Sequence, residues 1–253
     1  GAFMKETKNG EKSLAKAFDI IEAVGQLPNG ITAKALAAEM GMPVSTLFRM
    51  VKFLVDRRFL RKDDATLTLG PAAARLGGQA LRQNPLSKVA HPILARLAEQ
   101  TSETIHLAEL RNDAIVYIDK VEGSRSVRMG SLIGNLGQFY CSGVGKVILA
   151  FQEPAKQRKL IDTIVFEKYT DSTITDAESL YSELENIRRS GYALDNCEHE
   201  RGVFCIAAPL CDSAGVAFAG ISISGSVLYL RDRIPELVEL ARRAALEISA
   251  ELS

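Results

Sequence analysis

The 253-residue chain carries 31 basic and 31 acidic side chains and is 47% hydrophobic, a composition typical of globular proteins with a sizeable core. No apolar run approaches the ~20 residues of a membrane span, and the polar N-terminal stretch does not resemble a secretory signal. The four cysteines form no C-x-x-C pair, so we expect free thiols, a cytoplasmic location, no membrane contact and no bound cofactor.

Helical spacing of apolar residues dominates the first third of the chain. The predicted elements there are a helix over 14–24, a helix over 33–40 capped by Thr32, a helix with Pro43 in its first turn, two strands over 59–69 and a helix over 71–83. Asn84–Pro85 then breaks the pattern. This part of the chain therefore reads as helical with one hairpin.

From residue 104 the spacing changes to the alternation of strands. The predicted strands cover 104–110, 114–121, Val127–Met129, 192–196, 203–210 and 216–224. The predicted helices cover about 86–100, a segment from 146, a segment from the capping box Thr175–Glu178 to Ser190, and 233–252. We predict an α+β protein in three parts: a helical unit over 11–70, a linker helix over 71–86, and a unit with a mainly antiparallel sheet over 87–253.

Three short helices followed by a two-stranded wing make a winged helix-turn-helix, whose third helix enters the DNA major groove. Basic residues concentrate there, because residues 49–62 hold six cations against Asp56 alone. An arginine can contact guanine through two hydrogen bonds, and neighbouring cations can neutralise phosphates. The predicted DNA-contacting residues are Ser45, Thr46, Arg49, Lys52, Arg57, Arg61 and Lys62. A merely solvated helix face is the alternative, and the basic wing argues against it.

Small and polar residues recur on the two strands predicted between residues 203 and 224. Alternation places Cys205 on one face of the first strand, and Ser222 and Ser224 share a face of the second. If the strands pair, these faces form a shallow floor that suits a ligand better than a core. The Gly143–Val144–Gly145 turn leads into a helix whose first N–H groups suit a carboxylate. Solvent-facing serines, a buried thiol and a tight turn are the alternative interpretations.

Two further motifs are typical of cofactor sites but are incomplete. Gly145–Lys146 lacks the flanking residues of a phosphate-binding loop, because Tyr140 and Val147 occupy the positions of the required Gly and Ser or Thr. The stretch DNCEHE contains four residues of metal-ligand types, namely Asp195, Cys197, His199 and Glu200. No second ligand cluster accompanies it, so we predict no metal and leave a structural ion there as an open alternative.

The run ITAKALAAEMGMPVSTLFRMVKFLVDRRFLRK resembles the DNA-binding domain of IclR-type bacterial transcriptional regulators. Val44 and Arg58 depart from that pattern, in which a Lys and a Gly are common. The segments YCSGVGKVILA and GYALDNCEHERGVFCIAAPLCDSAGVAFAGISISG resemble the family's GAF-like effector-binding domain. The resemblance implies that a small organic acid lies over Met129, Gly143, Val144, Asp195, Cys205, Ser222 and Ser224. The stretches ETIHLA and VRMGSLIG look most like the branch that senses 2-keto-3-deoxygluconate.

The residues and the resemblance together predict a regulator of a catabolic operon that binds double-stranded DNA and senses a sugar acid or keto acid. Palindromic operators predict a homodimer or a dimer of dimers. We place Asp195 at the hydroxyl or carbonyl end of the acid, because its charge repels the ligand's own carboxylate. A sensor that acts on a protein partner and an enzyme are the alternatives. No motif ties a histidine to a cysteine, so we expect no catalytic residues.

Overall fold

The computed structural model describes residues 2–27, 29–125 and 132–252, less the side chains of residues 2–10 and 81–82. The predicted strand Val127–Met129, and with it the predicted effector residue Met129, lies outside the described residues. Chain contacts divide the molecule into two units, Gly1–Gln83 and Asn84–Ser253. In the described residues no helix combines the length and the hydrophobicity needed to cross a bilayer.

The N-terminal unit contains the predicted helices and hairpin. Its elements are α1 (Ala2–Gly25), β1 (Ile31–Thr32), α2 (Ala33–Glu39), α3 (Val44–Asp56), β2 (Leu60–Asp63), β3 (Thr66–Leu69) and α4 (Pro71–Gln83). Strand β3 pairs with both β1 and β2 in antiparallel fashion. The sequence analysis missed β1, because two residues are too few to show alternation.

One hydrophobic core holds the helices and the wing of this unit together. It contains Ile20, Val24, Leu36, Leu47, Val51, Leu54, Leu60 and Leu67. Thr32 caps α2 as predicted, since its Oγ1 accepts a hydrogen bond from the N–H of Ala35 at 3.2 Å. Pro43 lies at the N-cap of α3 rather than inside its first turn. Only Leu47, Val51 and Leu54 of α3 are buried, whereas Val44, Phe48 and Phe53 are exposed, as is the opposite face of the helix.

The C-terminal unit is built on an antiparallel sheet. Its helices are α5 (Pro85–Thr101), α6 (Gly143–Ala150), α7 (Pro154–Ile161), α8 (Ala177–Ser190), α9 (Val227–Leu230) and α10 (Ile234–Glu251). Its strands are β4 (Thr104–Arg111), β5 (Ala114–Val121), β6 (Leu136–Gly137), β7 (Ala193–Asn196), β8 (Val203–Cys211) and β9 (Ala217–Ser226). Among the described residues the strand order is β6–β5–β4–β9–β8–β7. The short elements β6, α7 and α9 were not predicted.

Helices cover both faces of this sheet. Residues of α5 and α10, such as Leu94, Leu97 and Ala241, form one core with the isoleucines of β8 and β9. Residues of α6 and α8, such as Val147 and Leu184, form a second core on the other face. The sheet therefore lies between two helical layers, and α6 is buried along its whole length.

The start of α8 corrects one prediction. The N-cap is Asp176 and not Thr175, because the Asp176 carboxylate accepts the N–H of Ser179 at 2.8 Å. A carboxylate at this position also interacts favourably with the helix dipole. The helix ends as predicted at Gly191, which has a φ of 77°. Arg188, in the last turn of α8, also donates hydrogen bonds to the carbonyl oxygens of Ala150 and Gln152 outside its own helix.

Replacing Arg58 by glycine should stabilise the protein. Arg58 has a φ of 62°, a left-handed conformation that costs a residue with a Cβ about 1–2 kcal/mol. We expect Arg58→Gly to raise the free energy of unfolding of the N-terminal unit, measured by urea denaturation. Arg58→Ala is the matched control, because it removes the same charge and keeps the Cβ. An equal gain in both variants would trace the effect to charge repulsion and contradict the backbone explanation.

Candidate functional site

The exposed face of α3 carries the predicted DNA-contacting residues. Ser45, Arg49 and Lys52 lie on this face, opposite the buried face described above. Arg57, Arg61 and Lys62 are also exposed, and Thr46 is half-buried. The structure thus leaves the basic stripe of α3 and the cations of the wing accessible in one unit.

Some of these cations contact neighbouring side chains. Arg61 forms an ion pair with Asp63 at 2.7 Å, and both side chains are largely exposed. Such surface pairs contribute little, so a phosphate can replace the aspartate. The guanidinium of Arg57 lies 5.8 Å from the centre of the Phe53 ring. Arg49 borders a surface groove between α1 and α3, next to Leu14. None of these contacts buries a charge that DNA would need.

A cavity of about 290 Å³ opens above the sheet of the C-terminal unit. Its floor follows from strand register, because Asp195 pairs with Cys205 and Cys205 pairs with Ser224 across β7, β8 and β9. The neighbouring row pairs Ser222 with His106 across β9 and β4. Side chains in one cross-strand row face the same side of a sheet. The register therefore gathers these five side chains beneath one opening.

Six of the seven predicted effector residues line this cavity; Met129 lies outside the described residues. The lining residues that sequence reasoning missed are His106, Tyr117, Asn135, Leu136, Gly137, Gln138, Ser142, His199, Glu200 and Val203. His106 and Tyr117 come from β4 and β5; the strand order places β4 beside β9 and β5 on the far side of β4, which sequence reasoning could not foresee. His199 and Glu200 come from the loop between β7 and β8, which the sequence analysis considered only as a metal site.

The first turn of α6 forms a wall of the cavity and packs directly against its floor. Ser142 caps the helix, since its Oγ accepts the N–H of Gly145 at 3.1 Å and donates to the Gln138 carbonyl at 2.6 Å. A Cβ at Gly145 would overlap that same carbonyl oxygen, so only glycine permits this approach. Gly143 and Val144 line the cavity, and helix geometry supplies no intrahelical acceptor for their N–H groups.

The chemistry of the cavity is polar without a cationic side chain. Among the described residues that line it, none is Lys or Arg. An anion would therefore be held by the N–H groups and the dipole of α6. Burial lowers the pKa of His106 to about 3, with Lys120 adding to the effect, so the imidazole is neutral. Its Nδ1 lies 3.2 Å from the Ser224 hydroxyl.

Asp195 is the buried acid of this floor, with only 3% of its surface exposed. Burial, and then the charge of Glu198, raises its pKa to about 7, although the N–H of Glu198 and the ammonium of Lys146 act in the opposite direction. Burial also raises the pKa of the Cys205 thiol. Below neutral pH the floor therefore presents uncharged donors and acceptors.

Asp195 and His199, two of the residues of metal-ligand type in DNCEHE, contact different partners. Asp195 accepts the N–H of Glu198 at 2.8 Å, whereas the His199 ring lies edge-on to Tyr169 with ring centres 4.8 Å apart. Within the described ranges, no three His, Cys, Asp or Glu residues are grouped so as to hold a metal ion. The structure thus gives no support to a metal site in this loop.

The comparisons with known proteins agree with this architecture. The profile described as "IclR helix-turn-helix domain" matches residues 13–64, and the one described as "Bacterial transcriptional regulator IclR C-terminal" matches residues 78–250. The chain belongs to the IclR family of bacterial transcriptional regulators. It is therefore a ligand-responsive, DNA-binding regulator of transcription, with the α+β fold expected from its sequence.

Individual relatives cover nearly the whole chain. The regulator BhcR of Paracoccus denitrificans is 35% identical, over 98% of this chain and 90% of its own length. The regulator KdgR of Escherichia coli is 34% identical, over 95% and 92%. An IclR homolog from Microbacterium hydrocarbonoxydans, solved with 4-hydroxybenzoate, has a TM-score of 0.77 at 25% identity and covers 95% and 98%. BhcR and KdgR are about equally similar, so overall identity does not select one effector.

The titration of Asp195 should appear in the pH dependence of stability. Its folded pKa of about 7 exceeds the ordinary 3.8, so the folded state binds this proton more tightly than the unfolded chain. This stabilisation is complete below pH 3.8 and is lost as the pH rises through 7. We expect Asp195→Asn to melt at a higher temperature than the wild type at pH 8, with a smaller difference at pH 5.

A matched control for this prediction is Asp176→Asn. The backbone and then the side chain of Ser179 lower the pKa of Asp176, which gives that residue the opposite linkage. Its replacement should lower the melting temperature at pH 8. An Asp195→Asn difference that is independent of pH would contradict the assignment of a protonated carboxyl to the cavity floor.

Proposed function

We propose that the effector of this regulator is a small hydroxylated organic acid, of the sugar-acid or keto-acid class, bound in the cavity of the C-terminal unit. One observation carries the proposal. Gly143 and Val144, at the N-terminus of α6, line the same cavity as the row of Asp195, Cys205 and Ser224. The N–H groups suit a carboxylate, and the row suits hydroxyl or carbonyl groups.

The size and the electrostatics of the cavity support this ligand class. A volume of about 290 Å³ lies at the lower end of the range for small-molecule sites, which favours a compact metabolite. A ligand with a single carboxylate can place its charge at α6 and keep its neutral groups near Asp195. A second carboxylate on the ligand would be buried at the floor without a cationic partner, because none of the described lining residues is Lys or Arg. The cavity thus favours monocarboxylic acids with hydroxyl groups.

The relatives are consistent with this ligand class. The Microbacterium homolog was solved with 4-hydroxybenzoate, which carries a carboxylate and a hydroxyl at opposite ends. KdgR matches nearly the full chain, and we assign it to the 2-keto-3-deoxygluconate-sensing branch that the sequence resembles. Both observations favour an acid with separated anionic and hydroxylated ends, and 2-keto-3-deoxygluconate has that form.

The DNA-binding proposal assigns roles to the exposed residues of α3 and the wing. Ser45, Thr46 and Arg49 face the bases, and Lys52 and Arg57 face phosphates. The wing cations Arg61 and Lys62 contact the backbone or the adjacent minor groove. Paired half-sites require a homodimer or a dimer of dimers. We further propose that the protein acts in the cytoplasm and is not an enzyme. Effector binding changes DNA affinity by the difference in the acid's affinity for two states of the protein.

A thermal-shift screen tests the ligand class. We expect 2-keto-3-deoxygluconate, gluconate or glycerate to raise the melting temperature, and hexanoate, which lacks hydroxyl groups, to leave it unchanged. Ser222→Ala combined with Ser224→Ala should weaken the response to the hydroxylated acids. If no keto or sugar acid shifts the melting temperature, the proposed effector class is wrong.

Electrophoretic mobility shifts with the DNA that flanks the gene test the DNA interface. Arg49→Ala should weaken binding roughly 10- to 100-fold, because a bidentate base contact contributes about 1–3 kcal/mol. Its response to the acid in the thermal-shift assay should be unchanged. Arg75→Ala is the control, since Arg75 is an exposed cation of α4 in the same unit. Loss of both activities, or of neither, would contradict two separate sites, and a wild type that shifts no DNA would favour a sensor that acts on a protein partner.

A further inference from the structure

The two incomplete cofactor motifs, Gly145–Lys146 and DNCEHE, are in direct contact in the structure. Lys146, from the Gly145–Lys146 pair, places its Nζ 2.6 Å from the Glu198 carboxylate of DNCEHE. The same Nζ lies 3.0 Å from the carboxylate of Glu183 on α8. The Lys146 side chain is completely buried, and 9% of the Glu198 side chain is exposed. Neither residue lines the cavity among the described contacts.

A buried ammonium is costly unless it is paired and hydrogen-bonded. Burial alone would lower the pKa of Lys146, but the charges of Glu198 and Glu183 raise it above its usual value. Lys146 therefore stays charged and needs a carboxylate close by. Because α6 is fixed against the sheet, this requirement determines where Glu198 and its loop must lie.

The loop that contains Glu198 is hydrogen-bonded to the cavity floor, so the position of Glu198 affects Asp195. The N–H of Glu198 donates to Asp195 Oδ1 at 2.8 Å, and the N–H of His199 acts to lower the pKa of the same carboxyl. The Glu198 Oε1 accepts the N–H of Asn196 at 3.3 Å. Cys197, between them, has a φ of 59°, a conformation that persists only when its surroundings enforce it. The ion pair and the Asp195 hydrogen bonds thus belong to one turn.

We propose that Lys146 and Glu198 are positioning residues for the effector cavity. Their ion pair holds the loop over 196–200 so that its N–H groups orient the Asp195 carboxyl and its His199 and Glu200 complete the cavity wall. The inference rests on the proposed function, because it assumes that the cavity binds the acid. Glu183 bonds to the same ammonium from α8 and touches neither the loop nor Asp195 in the contacts described here, so it offers a matched control.

Calorimetric titration with 2-keto-3-deoxygluconate tests the proposal. Glu198→Ala should weaken binding about tenfold or more, the loss that removal of one charge-assisted hydrogen bond produces. Glu198→Gln keeps an acceptor for Lys146, and Glu183 still supplies a counter-charge, so this variant should bind the acid more tightly than Glu198→Ala. Glu183→Ala should lower the melting temperature and leave the affinity within about twofold. Equal losses in Glu198→Ala and Glu183→Ala, or no rescue by glutamine, would overturn the positioning role.

Hydrogen exchange without ligand separates this inference from the proposed function. Glu198→Ala should increase exchange of the amides in 196–201, and Glu183→Ala should not. If wild type does not bind the acid but the loop responds in this way, the effector class is wrong and the positioning role stands. If the loop does not respond, the positioning role is wrong.

If Glu198→Ala does not fold, a double variant that leaves no unpaired buried charge can be used instead. Lys146→Met combined with Glu198→Met keeps both side-chain volumes and removes the unpaired buried charge. Glu183 remains, with 31% of its side chain exposed to water. This double variant should melt near the wild-type temperature and still show faster exchange in 196–201. Unchanged exchange in a stable double variant would also overturn the proposal.

Discussion

The close packing of α6 against the sheet is the constraint on which the C-terminal unit depends. All eight residues of this helix are buried, and Gly143 brings it so near β8 that a Cβ would lie 3.1 Å from that of Ala207. The first turn of α6 and the row of Asp195 and Ser224 therefore line one cavity. The same packing also carries Lys146 into the interior, where an ammonium requires carboxylate partners. One helix placement therefore fixes both the anion-binding wall and the charge that holds the adjoining loop.

The cavity combines a positive helix end with a neutral floor. A neutral His106, a raised pKa at Asp195 and two hydroxyls offer hydrogen bonds without adding charge below neutral pH. Selectivity in such a site comes from unmet hydrogen bonds, because a ligand that lacks hydroxyl groups would leave buried polar groups unpaired. The N-terminal unit differs, since the cations that we propose for DNA binding are exposed and would attract phosphates through solvent. The family's two activities thus use different electrostatics in separate units.

Local patterns revealed more of the fold than of the cavity. The periodicity of α3, the wing and the alternation of β8 and β9 each follow from neighbouring residues, so their side chains could be assigned to faces from the sequence. His106 and Tyr117 could not be found in this way, because β4 and β5 reach the cavity only through strand order. The Lys146–Glu198 pair joins residues far apart in sequence, and each half was interpreted alone as an incomplete cofactor motif. The N-cap of α8 was displaced by one residue, since both Thr175 and Asp176 are good capping types.

The central claim is that acid binding in one unit and DNA binding in the other are energetically coupled. The direct test compares the dissociation constant of the operator with and without saturating 2-keto-3-deoxygluconate, and that of the acid with and without operator. Linkage requires both constants to change by the same factor, which is typically about 5- to 150-fold. Equal factors, well above one, are the predicted result. An operator affinity that saturating acid leaves unchanged, although each ligand binds alone, would contradict the account.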